Sequence, residues 1–335
     1  MGVRSPERAL RADRELIVGR CASRLEARYF WRPRQVDHGE LRWRSTASGI
    51  AMHTVSLPDG QLLPALGLGT WRMGESALSR PAEVAAVRLA VELGCRVIDT
   101  AEMYGEGGAE EVVGEGLAQA LRAGVVARDE VFVVSKVYPY NASRAGVAAA
   151  CERSRQRLRL DHIDLYLLHW RGEHPLQETV AGFEALAQRG FIRHWGVSNF
   201  DTDDMESLAG VPNGGKCAVD QLYYALTERG IEVDLLPWLR SRGIPCMAYS
   251  PIDRGTLACH PVLRDIGRRH GMSAAQIALA WVLSQPQVMA IPKAVHEAHL
   301  RENWAAADFV FSAEDRAELD QRFAPPRRRV PLAMV

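Results

Sequence analysis

The chain has 335 residues with 41 basic and 41 acidic side chains, so its formal net charge is zero, and 47% of it is hydrophobic. That balance gives no support for a nucleic-acid binder, which should carry a basic excess, and no apolar run is long enough to span a bilayer. The cysteines (Cys21, Cys95, Cys151, Cys217, Cys246, Cys259) are scattered with no C-x-x-C pair. They exclude a zinc framework or a secreted disulfide scaffold and fit a reducing cytoplasm.

Residues 1–51 hold eleven Arg, no Lys and six acids, which leaves a formal charge of −5 on the rest of the chain. The longest aliphatic patch there, Leu16-Ile17-Val18, is too short for a signal-peptide core. Glu7, Asp13, Glu15 and Glu26 are out of place in an organelle transit peptide. The segment reads either as a basic arm for an anionic partner, or else as a disordered extension or as translated sequence upstream of the true start at Met52. The second reading is preferred, because nothing later in the chain answers to such an arm. A single domain is expected over 52–335.

From Met52 the text changes character. Val55-Ser56-Leu57, then Pro58-Asp59-Gly60, then Gln61-Leu62-Leu63 reads as a hairpin around a D-G turn. Short apolar runs then alternate with longer amphipathic ones. Strands are expected at 66–68, 97–99, 131–135, 163–168, 192–197, 217–221, 245–249 and 288–291. Helices are expected at 82–92, 110–120, 144–158, 180–188, 203–208, 235–242, 274–284, about 297–306 and 312–322. Ser273 and Ser312 stand at N-cap positions, the second with Asp315 three residues on as a capping box. Gly94, Gly190 and Gly243 follow helical runs, where a left-handed cap wants glycine.

Strict alternation of eight strands with helices calls for a parallel sheet with helical crossovers. Eight such units in about 250 residues match a (β/α)8 TIM barrel. A doubly wound sheet is the alternative, but its nucleotide fingerprint is missing. The nearest text, Gly67-Leu68-Gly69-Thr70-Trp71-Arg72, has Arg where the third Gly belongs.

In a barrel, function gathers where strands end. The expected strand ends deliver Thr70 and Trp71, then Asp99 with Tyr104, Ser135-Lys136, His169-Trp170, Ser198-Asn199, Gln221, Tyr249-Ser250 and Pro292-Lys293. Each alone has an ordinary structural explanation as a cap, a solvated charge or a packing ring. Packing does not call for Asp, Tyr, Lys and His together on one rim.

Eight stretches in order carry a family likeness: GLGTWRMG (67–74), VIDTAEMYGEG (97–107), VVSKVY (133–138), DLYLLHW (164–170), GVSNF (196–200), VDQLYY (219–224), MAYSP (247–251) and AIPKAVHEAHLREN (290–303). Together they resemble the aldo-keto reductase superfamily over residues 54–335. The resemblance implies a (β/α)8 barrel and NAD(P)H-dependent reduction of carbonyls to alcohols. It places the family's catalytic types on Asp99, Tyr104, Lys136 and His169, with no substitution. Hydride transfer leaves negative charge on the carbonyl oxygen, so a proton donor and a polarising group must meet that oxygen. Tyrosine is a reluctant acid, with an unperturbed pKa near ~10. A neighbouring Lys136 ammonium is expected to favour the phenolate and make Tyr104 a better donor. Asp99 would hold Lys136 charged, and His169 would orient the substrate oxygen.

The resemblance also implies a cofactor site. Ser198, Asn199 and Gln221 would bind the nicotinamide carboxamide, with Tyr249 stacked on the ring. Thr70 and Asp99 would lie near the ribose, and Ser250 and Ile252 along the pyrophosphate. Glu302 and Asn303 match the family's adenine-contacting pair. At the 2′-phosphate the chain departs from the common pattern: Lys293 is kept, but Ala294 stands for Ser and His299 for Arg. The bidentate fork of Arg is lost, and Arg254 is a candidate to compensate. Asp253 beside it would repel a phosphate if turned inward. NADPH is expected, with a weaker preference over NADH than in Arg-bearing members.

Trp71, Met103, Tyr138 and Trp170 flank the catalytic groups and would line an apolar mouth suited to aldehydes, ketoaldehydes or small ketones. The C-terminal text FAPPRRRVPLAMV (323–335) either folds over that mouth, as tails do in the family, or leaves its three Arg solvated. The alternative function is a non-catalytic, cofactor-binding regulatory subunit of the same fold, as the potassium-channel β subunits illustrate. A metal-dependent barrel hydrolase is discounted, because only His169 among the ten His ends a strand. The expected partner is a small carbonyl compound, with no nucleic acid and no membrane, in a monomer or weak homo-oligomer.

Overall fold

The computed structural model describes residues 53–335, and the expectations for 1–51 and for a start at Met52 lie outside them. A two-stranded antiparallel hairpin comes first, β1 (Thr54–Ser56) paired with β2 (Leu62–Pro64). Eight parallel strands follow: β3 (Leu68–Gly69), β4 (Val97–Asp99), β5 (Phe132–Val137), β6 (Ile163–Leu168), β7 (Ile192–Ser198), β8 (Asp220–Tyr223), β9 (Cys246–Tyr249) and β10 (Val288–Ala290). They pair in chain order from β3 to β10.

The sheet closes on itself. Gly67 N–H donates to the Ala290 carbonyl at 2.9 Å, Gly69 N–H to that of Pro292 at 3.1 Å, and Ala290 N–H to that of Ala65 at 2.7 Å. Parallel bridges Leu66–Ala290 and Gly69–Lys293 complete the seam. A Cβ on Gly69 would stand 2.5 Å from the Ile291 carbonyl oxygen, so only glycine fits there. The glycine-rich text that failed as a dinucleotide fingerprint is the seam of a TIM barrel.

The strands are near-continuous apolar runs because helices cover their outer face and side chains fill their inner face. β5 and β6 are buried at every position. The outer layer is α1 (Arg80–Glu92), α2 (Gly108–Arg122), α3 (Arg144–Leu158), α4 (Leu176–Gln188), α5 (Thr202–Ala209), α6 (Leu235–Ser241), α7 (Pro261–His270), α8 (Ala274–Leu283), α9 (Glu297–Ala306) and α10 (Ala313–Arg322). Ser273 and Ser312 cap α8 and α10 through full capping boxes with Gln276 and Asp315. Gly94, Gly190 and Gly243 all have positive φ.

Three expectations need correction. α7 was absent from the reading: it opens on His260-Pro261, text that looks like a turn although proline at the first helical position is favourable. The sixth barrel strand lies at 220–223 rather than 217–221, because Asp220–Tyr223 is the stretch in register with β9. α4 begins four residues early, straight after Pro175.

The hairpin sits at the N-terminal pole. Gln61 Oε1 lies 3.0 Å from His194 Nε2 near the start of β7, and Ser56 N–H donates to Gln287 Oε1 just before β10. Asp164, second in β6 and fully buried, pairs at that same pole with Arg128 at 2.7 Å and Arg193 at 3.2 Å. The opposite rim is left to a different set of polar groups. No helix among the described residues is long and apolar enough to cross a membrane.

Candidate active site

The four residues expected to act together do meet on the C-terminal rim. Asp99 is the last residue of β4, Lys136 sits near the end of β5, and His169 follows β6. Tyr104 opens a tight 3-10 turn, Tyr104–Gly107, with Gly105 and Glu106 in left-handed conformation. Lys136 Nζ, 0% exposed, donates to both Asp99 carboxylate oxygens at 2.8 Å and to the Thr100 carbonyl at 2.9 Å. It stands 3.2 Å from the Tyr104 hydroxyl. Asp99 is held further by Gln221, whose Nε2 donates to Oδ1 at 2.8 Å, and Thr70 Oγ1 donates to the Asp99 backbone carbonyl at 2.9 Å.

The electrostatics differ from the expectation in one respect. Burial raises the Tyr104 pKa well above that of free tyrosine, and the Asp99 charge adds to the effect. The net shift is upward although the Lys136 ammonium stands 3.2 Å from the hydroxyl, because burial is the larger effect. Burial likewise lowers the Lys136 pKa and raises that of Asp99, each opposed chiefly by the other. The pair persists as an ion pair because its geometry is bidentate and its remaining donors are used. His169 is buried beside this charge, and burial followed by the Lys136 charge depresses its pKa far below the usual histidine range. It is therefore a neutral imidazole. Its ring meets that of Tyr104 edge-on at 5.7 Å, and its Nδ1 has no hydrogen-bond partner.

The residues expected at the nicotinamide form one network. Ser198 Oγ donates to the Gln221 carbonyl at 2.8 Å. Asn199, at φ 60, donates to the His169 carbonyl and to Ser198 Oγ, both at 3.1 Å, and accepts from the Tyr249 hydroxyl at 2.8 Å. Gln221 Nε2 also lies 2.9 Å from the Met247 sulfur, so its amide faces Asp99 and the barrel interior. Tyr249 is backed by Tyr223 in a stacked pair, with 5.7 Å between centroids.

Ser250, Asp253 and Arg254 all have positive φ, and Ile252 caps the 3-10 turn Asp253–Cys259. Asp253 is turned to the Tyr223 hydroxyl at 2.5 Å and to Thr256. Arg254, Lys293, His299 and Glu302 are exposed, whereas Ala294 and Asn303 are buried. Lys293 is tied to Gly69 through the seam, and His299 lies on α9 with its ring 5.6 Å from His296.

The mouth is aromatic. Tyr138 meets Trp170 edge-on at 5.3 Å and stacks on Tyr140 at 5.6 Å, and Trp170 lies 5.0 Å from His169. Trp71 and Met103 are each more than a third exposed, and Arg72 lies 4.7 Å over Trp71. Tyr140 was missed, although the aromatic spacing Tyr138-Pro139-Tyr140 was legible. Glu102, between Asp99 and Tyr104, was missed too; its partners are far away in sequence.

The tail lies over the rim. Arg329 reaches Asp203 at 2.9 Å, Asp234 at 3.2 Å and Asp201 at 3.3 Å, and Leu332 and Ala333 pack on the core. The Val335 backbone meets the Tyr249 hydroxyl. One of the three consecutive Arg is thus a bound anchor rather than a solvated charge.

The family model for the aldo/keto reductase family matches residues 65–322. The chain belongs to the aldo/keto reductase family. This aldo/keto reductase is 49% identical to methylglyoxal reductase YeaE of Escherichia coli (strain K12), over 82% of this chain and 95% of that one. It is 36% identical to a glyoxal reductase of Bacillus subtilis (strain 168), over 80% and 91%. A crystal structure of an aldo-keto reductase from Klebsiella pneumoniae in complex with NADPH superposes with a TM-score of 0.81 at 48% identity, covering 85% of this aldo/keto reductase and all of the other chain. The (β/α)8 reading of the sequence is borne out by these matches and by the closed sheet.

Proposed function

We propose that this protein is an NADPH-dependent carbonyl reductase acting on small aldehydes and ketoaldehydes, with Tyr104 as the proton donor. The observation that carries the reading is the Lys136 ammonium, fully buried, bidentate on Asp99 and 3.2 Å from the Tyr104 hydroxyl. A buried ion pair of this kind is costly and weak evidence for stability alone. Groups with pKa values displaced by burial and by a specific charge partner cluster at functional sites. The relatives named as methylglyoxal and glyoxal reductases support the same substrate class.

The rim chemistry suits a dinucleotide. Tyr249 offers a flat ring backed by Tyr223, with the Asn199 amide at its hydroxyl. Ser198, Asn199, Gln221 and Tyr249 would hold the nicotinamide end, Thr70 and Asp99 the ribose, and Ser250 and Ile252 the pyrophosphate. Lys293, Ala294, His299 and Arg254 would face the 2′-phosphate, and Glu302 and Asn303 the adenine. When bound, reduced nicotinamide supplies the hydride. The protein's part is electrostatic and geometric. His169, neutral because it is buried beside Lys136, keeps one ring N–H to donate to the carbonyl oxygen and polarise it. The raised pKa of Tyr104 keeps its proton in place across neutral pH, ready for the oxygen as it becomes negative. Lys136 then faces the phenolate left behind and stabilises it. The aromatic pair of Tyr138 and Trp170 gives that exchange an apolar flank. The reading extends to a single domain over 52–335, a cytoplasmic location, and a monomer or weak homo-oligomer.

The test is NADPH oxidation against methylglyoxal, glyoxal and a panel of aldehydes and ketones, with NADH in parallel. Tyr104→Phe removes only the hydroxyl. It should lower turnover by roughly 10²–10⁴-fold while NADPH still binds in a fluorescence titration. Wild-type turnover in that variant would remove Tyr104 from the mechanism.

A further inference from the structure

We infer that Glu102 is the positioning residue that sets the gap between the proton donor and the aromatic wall, and so decides which carbonyls the site accepts. This rests on the reductase reading above.

Glu102 lies three residues after Asp99 and two before Tyr104, on the loop that carries the proton donor. Its side chain is 7% exposed and its carboxylate spans to the next loop of the barrel. Oε1 accepts the Tyr138 backbone N–H at 2.7 Å and Asn141 Nδ2 at 3.0 Å, while Oε2 faces Arg153 at 3.3 Å. Its own backbone N–H reaches the Lys136 carbonyl at 3.4 Å. Glu102 therefore ties the Tyr104 loop to the end of β5 at both main chain and side chain.

The partners matter because of what they carry. Tyr138 is the first residue past β5, followed by the 3-10 turn Pro139–Asn141, and its ring packs on Trp170, which packs on His169. No other described side chain hydrogen-bonds the Tyr138 N–H or the Asn141 amide. A hydrogen bond to an ionised acceptor is short and strong, as the 2.7 Å contact is. Without the carboxylate, a peptide N–H and a side-chain amide lose their acceptor together, and the turn is free to carry Tyr138 away from Trp170. The wall then recedes from Tyr104 and His169, and a small carbonyl loses its snug contact. A bulky one does not, because it fills the wider gap.

The experiment measures steady-state kinetics of the full chain with methylglyoxal and with a bulky aromatic aldehyde, 4-nitrobenzaldehyde, at saturating NADPH. Glu102→Ala should raise KM for methylglyoxal by roughly tenfold, the change that about 1.4 kcal/mol of lost substrate contact gives. KM for the aromatic aldehyde should stay level or fall, with kcat and NADPH affinity within about twofold. Glu102→Gln keeps an acceptor at Oε1 and should restore the wild-type ratio of the two KM values. Asn141→Ala, which removes a single donor, should shift the ratio in the same direction by less, and it serves if Glu102→Ala does not fold. Equal KM changes for both aldehydes, or a fall in kcat with KM unchanged, would overturn the inference while leaving the reductase reading intact. A wild-type protein inactive toward every carbonyl would overturn both.

Discussion

Asp99→Asn exchanges a carboxylate for an amide of the same shape beneath the proton donor. In the structure Oδ1 accepts from both Lys136 and Gln221, and Oδ2 accepts from Lys136. An amide satisfies one of these positions. At the other its N–H2 faces a donor 2.8 Å away, whichever way it turns. Lys136, 0% exposed, is then a buried cation without an anion. Removing one partner of a buried pair costs about 3–5 kcal/mol, which in a domain of this size lowers Tm by roughly 6–12 °C. The pH dependence gives the reasoning its sharper check. An unpaired buried lysine has a folded pKa below its unfolded value, so the unfolded chain binds more protons and stability rises with pH. Thermal unfolding followed by circular dichroism should therefore show the largest deficit at pH 7 and a smaller one at pH 10, where Lys136 sheds its proton more cheaply. Turnover should fall by at least about 10²-fold, because a Lys136 without its carboxylate is no longer held in place beside the Tyr104 hydroxyl. A deficit that does not change with pH, or no deficit at pH 7, would refute the view that Asp99 holds Lys136 as an ammonium.

Two further outcomes are expected. Asp220, fully buried on β8 with no side-chain partner among the described residues, has its pKa pushed well up by burial, opposed only by the Phe200 backbone. The folded state thus holds its proton longer than the unfolded chain, and its contribution to stability is present below the unfolded carboxylate pKa and lost as pH rises. Asp220→Asn should raise stability at neutral pH by roughly 1–3 kcal/mol, read as a higher Tm, with the gain vanishing below about pH 4; equal gains at both pH values would count against a titrating Asp220. His299→Arg should tighten NADPH binding by roughly 1.5–3 kcal/mol, tenfold or more, and leave NADH unchanged in a fluorescence titration at pH 8. Matching gains for both cofactors would show that position 299 does not face the 2′-phosphate.

The barrel and its rim were legible because a fully covered strand writes itself as an apolar run, and a charged residue closing such a run stands out. Asp99 and Lys136 are of this kind, and they do meet. Contacts across the rim were not legible. Glu102 looks like any loop acid until Tyr138 and Asn141 are placed beside it, and Arg329 looks solvated until Asp201, Asp203 and Asp234 surround it. The direction of the Tyr104 shift also depended on depth. A lysine neighbour alone lowers a phenol's pKa, but burial and the matched charge of Asp99 reverse the sign. α7 escaped because its apolar positions are sparse and its opening proline reads as a break.

The seam has a kinetic meaning. Leu66 and Gly69 bridge to residues more than 200 positions on in the chain, Ala290 and Lys293, at the two-residue β3 and the three-residue β10. Contacts so distant in sequence are entropically the slowest to form. Closure of the seam is therefore expected to be a late step of folding, after the locally connected strands that carry Asp99, Lys136 and His169 have paired. On that expectation the cluster of Asp99, Lys136 and His169 would form before Lys293, proposed above to face the 2′-phosphate, is seated. Once the seam is shut, any ligand that spans both regions binds the closed form alone and stabilises it by mass action. Dinucleotide binding would then act as a clasp on the shortest strands of the barrel, where amide exchange in the free protein is expected to be fastest.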